Sequence, residues 1–157
     1  MVQEKHHRLE ARFYHGLQVA SFTACVRNRV AFFTEVDRFH ACERTLVGEL
    51  QQFNSEAEVY LFMPDHGHLL LRGKSEDSDV LRAMKSFKQK TGFWLSQDHP
   101  QVRWQKDFYD HILREEEQVE QHIRYILNNP VRKGIVENWK DYPFKGSTIH
   151  KLDEWEP

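Results

Sequence analysis

The elements read along the chain run strand, helix, strand, strand, helix, strand. This order predicts an α+β domain of the ferredoxin-like type, a split βαβ antiparallel sheet with two helices on one face and a further C-terminal helix appended. Three observations carry the prediction. Apolar, aromatic and β-branched runs alternate with stretches of helical spacing. The two central runs, AEVYLFM and HLLLRG, are separated only by a short segment opening on Pro64-Asp65, the chemistry of a tight turn. Finally, 157 residues with 39% hydrophobic and 13% aromatic content suffice for one core and leave little for a second.

Taken in order, residues 16–25 (GLQVASFTAC) alternate as a strand does. After a loop, Thr34 is placed to cap a helix over residues 35–53, where Val36, Phe39, Leu46, Val47 and Leu50 fall near helical spacing. The two central runs are the second and third strands. Residues 79–95 place Val80, Leu81, Met84 and Phe87 on one helical face and lysines on another. Residues 102–113 (VRWQKDFYDHIL) predict a strand pair or one long strand. Residues 115–129 open on three glutamates and stop before Pro130, the charge and stop pattern of a helix. The remaining tail carries Val131, Ile135, Val136, Trp139, Tyr142 and Phe144, enough apolar surface to pack back on the body.

Composition excludes several classes. No apolar run approaches the roughly 20 residues of a membrane span, and mean hydropathy is strongly negative. The N-terminus, MVQEKHHRLEARFYHG, lacks the apolar core of a secretory signal, so a cytosolic chain is expected. Cys25 and Cys42 show no metal-knuckle spacing and are expected to be free thiols. A net charge of −2 argues weakly against a nucleic-acid binder. Local charge points the other way: Arg82, Lys85, Lys88 and Lys90 form a basic stripe with no acid among them, and such a stripe can neutralise phosphates. Its ordinary alternative is a solvated helix face, just as the neighbouring Phe93 and Trp94 serve equally well as core or as platforms for unpaired bases.

The stretch VYLFMPDHGHLLLRG, residues 59–73, sets His66 and His68 on either side of Gly67. Residues two apart on a strand share a face, so both imidazoles can aim at one point. Spacing alone leaves two readings open, half of a metal site or a turn histidine and a strand histidine with local hydrogen bonds. His6 and His7 are also adjacent, in a polar leader where solvent exposure is expected. On the last helix Tyr125 and Asn129 are separated by four residues and share a face, with His122 one turn before Tyr125. Tyr125 also reads as a half-buried core residue beside Ile123 and Ile126, and Asn128-Asn129-Pro130 as a helix stop. Asp65 reads as a turn former and His111 as structural.

Together, YLFMPDHGHLLL, WQKDFYDHIL and RYILNNPVRKGIV, with FTACVRNRVAFF near the start, resemble the HUH-type single-tyrosine transposases, closest to the REP-associated tyrosine transposase branch. The resemblance spans about residues 16–148, nearly the whole chain. It implies that His66 and His68 bind a divalent metal, Mg²⁺ or Mn²⁺, with Asn129 as third ligand, and that Tyr125 is the nucleophile. The implied reaction is cleavage and rejoining of single-stranded or hairpin DNA through a 5′-phosphotyrosine, in a prokaryotic cytosol at the nucleoid. Arg132 joins the basic stripe as a candidate DNA contact. Relatives include monomers and homodimers that exchange the tyrosine helix. One position departs from the pattern: between the histidines, where a bulky hydrophobic residue is usual, stands Gly67, which predicts looser placement of both imidazoles. Two other functions fit the same features, a domesticated hairpin-DNA binder without strand transfer and a metal- or RNA-binding ferredoxin-like module in which the histidines are incidental.

Overall fold

The computed structural model describes residues 8–156; His6 and His7 lie outside them. β1 (Val19–Cys25) leads into α1 (Val36–Gln52). The hairpin of β2 (Ser55–Met63) and β3 (His66–Gly73) follows, then α2 (Val80–Asp98), β4 (Tyr109–Leu113), α3 (Glu116–Leu127), the single turn α4 (Asn129–Arg132) and a two-residue strand β5 (Lys145–Gly146). The sheet order is β4-β1-β3-β2-β5, and every pairing is antiparallel. β3 therefore lies between β1 and β2, which is the predicted split βαβ.

Helices cover both faces of this sheet. On one face α1 and α2 pack Phe39, Leu46, Leu50, Met84 and Phe87 against Phe22, Phe62 and Leu69. On the other, α3 and the C-terminal segment pack Val119, Ile123, Ile126, Leu127 and Trp139 against Val59, Leu61 and Leu70. Each such side chain contributes roughly 1.5–3 kcal/mol when fully withdrawn from water, so α3 is held by its own apolar stripe. The expected appended helix thus forms a third layer. The signal for it is in β2, where residues 57–63 are buried without a break, the pattern of a strand covered on both sides.

Local chemistry explains where the elements differ from expectation. The helix expected from residue 35 is capped at the Glu35 position with no side-chain hydrogen bond, so Thr34 does not act as the cap. α2 is capped as a helix start should be: Asp79 accepts from the backbone N–H of Arg82 at 3.0 Å. Only residues 109–113 of the expected 102–113 strand join the sheet. The preceding segment is a loop because Trp104 turns inward, its indole N–H donating to Thr91 Oγ1 at 2.8 Å. The Lys88 ammonium also donates to the carbonyls of Gln105, Lys106 and Asp107 at 2.7–3.2 Å, which curls the backbone around the charge. α3 stops at Leu127, two residues earlier than expected, and the chain re-enters a helical turn at Asn129 with Pro130 in its first positions, where its missing N–H is no loss.

Both cysteines are buried and free. Among the described residues no helix is long and apolar enough to cross a membrane.

Candidate functional site

β3 alternates, so His66, His68, Leu70 and Arg72 point toward the α3 layer while Gly67, Leu69 and Leu71 point toward α1 and α2. Gly67 leaves no gap beneath the histidines. A Cβ there would stand 2.8 Å from the ring of Phe62, its direct cross-strand partner, so this ring takes the place of the missing side chain. The looser placement expected from Gly67 is not what the packing shows.

The two imidazoles converge, with Nε2 of His66 3.2 Å from Nε2 of His68 and the rings perpendicular, centroids 4.8 Å apart. Their partners assign the tautomers. Asp65 Oδ1 lies 2.6 Å from His66 Nδ1, and a carboxylate only accepts, so the ring proton is on Nδ1. Asp65 is held in turn by Arg29, whose Nε donates to Oδ2 at 2.9 Å from a turn in which Asn28 and Arg29 both take positive φ, 61° and 56°. Thr23 sits directly opposite His68 in the β1–β3 register, with Oγ1 3.2 Å from Nδ1. The Asn129 amide donates to His68 Nε2 at 2.9 Å, which requires a bare nitrogen there. Both Nε2 lone pairs therefore face the same small volume.

Electrostatics keep these rings neutral. Burial drives His68 down to about 3, and the charges of Arg132 and Arg29, with those that His66 and His122 carry only when protonated, push the same way. Burial also lowers His66, against the opposing pull of Asp65. Two lone pairs 3.2 Å apart repel unless a donor or cation lies between them, and neutral imidazoles are the form that ligates metal. Asn129 is buried at 6% exposure, and its amide turned end for end offers an oxygen in the same place. The donor set of two imidazole nitrogens and an amide oxygen, oriented from behind by Asp65 and Thr23, thus fits a divalent cation. Among the described residues no three His, Cys, Asp or Glu side chains gather around one point, so the amide is what completes this set.

Tyr125 stands on α3 one turn before Asn129, 58% exposed. Its ring lies nearly parallel to that of His122, with centroids 6.0 Å apart and 16° between planes, and His122 Nε2 is 2.7 Å from Ser21 Oγ. The Arg132 guanidinium covers the Tyr125 ring at 3.8 Å and donates to the Tyr125 carbonyl at 2.8 Å. The phenol oxygen makes no hydrogen bond among the described residues. Ser21 and Thr23, two apart on β1, thus serve the tyrosine helix and the histidine pair from one strand face.

The basic stripe lies in the other layer. Arg82 is exposed, with its guanidinium over Phe53 at 5.1 Å, and Lys85 is exposed. Lys88 organises the 105–107 loop, and Lys90 is ion-paired with Glu49. Of the five basic candidates only Arg132 adjoins Tyr125. Trp94 packs on Phe32, whereas Phe93 is 68% exposed. Sequence reading missed Thr23, Ser21 and Arg29, whose roles come from register and from an unusual turn. It also took Asp65 as a turn former alone, although its position next to His66 was the available signal.

With this geometry in place, the comparisons define the class. The family model described as "Transposase IS200 like" matches residues 17–129, a span that opens just before β1 and closes on Asn129, and the chain belongs to that family. Within it, the chain is similar to the REP-associated tyrosine transposase of Escherichia coli K12, 25% identical over 130 residues covering 83% of this chain and 75% of that one. A Haemophilus influenzae protein assigned to the same group is 27% identical over 112 residues, covering 64% of this chain and 62% of that protein's length. The fold matches a solved REP-associated tyrosine transposase bound to a REP hairpin, with TM-score 0.76 over 97% of this chain and 87% of that one, at 22% identity.

Proposed function

We propose that the protein cleaves and rejoins single-stranded or hairpin DNA, using Tyr125 as nucleophile and a Mg²⁺ or Mn²⁺ ion held by His66, His68 and Asn129. The carrying observation is the convergence of two bare Nε2 atoms and the Asn129 amide, with an exposed tyrosine one turn before Asn129 on the same segment. A bound divalent cation would draw charge from the scissile phosphate and orient its oxygens.

The chain's own residues supply the rest. Asp65 and Thr23 keep each ring proton on Nδ1, so that both Nε2 atoms keep a lone pair free for a cation. Tyr125 attacks phosphorus in line: the phenol loses its proton, the new O–P bond forms at the 5′ side, and the departing 3′ oxygen takes up a proton. Arg132, against the Tyr125 ring, meets the negative charge gathering there. A phenol ordinarily ionises near 10 and so leaves far more readily than an aliphatic alkoxide. A 3′-hydroxyl can then reverse the step without ATP. His122, tied to Ser21, holds the ring in place.

Covalent capture tests this reading. Labelled hairpin DNA bearing single-stranded flanks is incubated with protein and Mn²⁺ or Mg²⁺ and run on a denaturing gel. A labelled protein band is expected, absent in Tyr125→Phe and His66→Ala. Hairpin binding without a band under any metal would replace strand transfer with the hairpin-binding function.

A further inference from the structure

We propose that the cleft between α2 and the loop of residues 100–108 binds the single-stranded DNA flanking the scissile phosphate; this rests on the DNA-cleaving reading above. The cleft encloses about 680 Å³, and Lys85, Lys88, Arg103 and Lys106 line it against a single acid, Asp107. The side chains of Lys85, Arg103 and Lys106 are exposed and make no hydrogen bond or ion pair among the described residues. Like charges gathered around one concave surface repel one another, and a polyanion entering it relieves that repulsion while releasing its own counterions.

The walls favour a single strand over a duplex. One is a helix face that opens at Gly92; the other is the loop that Lys88 curls around its ammonium. Among the described residues the cleft's lining comes from a helix flank and a loop, a charged trough of the kind that tracks single strands, whereas duplex edges are read by a helix or ribbon set into a groove. The cleft is also tied to the histidine end of the sheet. Gln105 donates to the Cys25 carbonyl and Arg27 to the Arg103 carbonyl, both at 2.8 Å, and Trp104 bridges Val26. Cys25 is the register partner of His66, and Arg29, four residues on, holds Asp65. A strand leaving the scissile phosphate around this end of β1 meets the cleft next.

The test compares two probes, a blunt hairpin and the same hairpin with a single-stranded extension of about eight nucleotides, within the range of a single-strand site. Binding is measured by fluorescence anisotropy between about 50 and about 200 mM salt for the parent, for Lys85→Gln/Arg103→Gln, and for a charge-matched control, Arg44→Gln/Lys151→Gln, two exposed residues that do not line the cleft. Two lost single-strand phosphate contacts lower the log–log salt slope by about 1.4, so the extended probe's affinity falls ~7-fold less across that range than in the parent. The blunt probe is expected to bind both alike. Equal loss on both probes, or a change no larger than in the control, overturns the cleft assignment. If the parent forms the covalent band yet the cleft variant keeps its full salt slope, the cleft fails alone; if the parent binds neither probe, the DNA-cleaving reading fails with it.

Discussion

The Asn129 amide donates to Nε2 of His68 across 2.9 Å, joining the turn that follows the tyrosine helix to the central strand of the sheet. This contact ties the segment that carries Tyr125 to the histidine pair. Asn129→Ala is expected to weaken Mn²⁺ binding by about tenfold or more, measured by calorimetric titration of the protein without DNA. Unchanged affinity would remove Asn129 from the ligand set.

Asp65 and Thr23 contact the His66 and His68 rings at Nδ1, the side away from the converging Nε2 atoms. Asp65→Asn and Thr23→Val should each raise the Mn²⁺ concentration needed for half-maximal covalent capture, about 10–100-fold, while saturating metal restores the band. A loss that metal does not restore would point to damaged folding, which a thermal melt of each variant reads independently.

Because α3 packs on its own sheet through Ile123, Ile126 and Leu127, Tyr125 and the histidine pair are expected to act within one chain. Mixing Tyr125→Phe with His66→Ala protein should then give no covalent band. A band from the mixture would show that one copy lends its tyrosine helix to another.

Gly67 and Phe62 share one volume. Gly67→Ala should destabilise by about 1–3 kcal/mol, the range for overpacking a filled core, and Phe62→Leu should recover part of that loss in the double variant. Chemical denaturation of the four proteins in the cycle gives the coupling directly; additive effects would mean the two positions do not share space.

Lys90 is paired with the buried carboxylate of Glu49. Burial raises Glu49, but hydrogen bonds from Lys90 and Ser86 outweigh it and leave the group below its ordinary 4.5. A carboxylate held low in the folded state binds fewer protons there than in the unfolded chain, so its stabilisation is present above pH 4.5 and is lost as pH falls through the folded value. Lys90 is largely exposed, which limits the pair to about 1 kcal/mol. Lys90→Gln should therefore lower stability by up to that amount at pH 7, with parent and variant converging in melts as pH falls through the lowered folded value of Glu49.

Local pattern was enough for the split βαβ order and for the two histidines on one strand face, a period of two that strand geometry enforces wherever the chain later packs. The helical period of near four expected for Tyr125 and Asn129 held only in part, because α3 ends at Leu127 and Asn129 opens the separate turn α4. Tertiary structure alone decided the rest. α3 covers the second sheet face because β2 is apolar on both sides, yet no local pattern says which segment will cover it. Thr23 meets His68 through a register set by pairing strands 45 residues apart in sequence, and Ser21 meets His122 across 101. Lys88 and Lys90, identical in kind to Lys85 along the stripe, were drawn into loop and ion-pair contacts, whereas Lys85 stays exposed. Contacts between distant segments depend on which surfaces the folded layers bring together, and a linear pattern holds that information only in part.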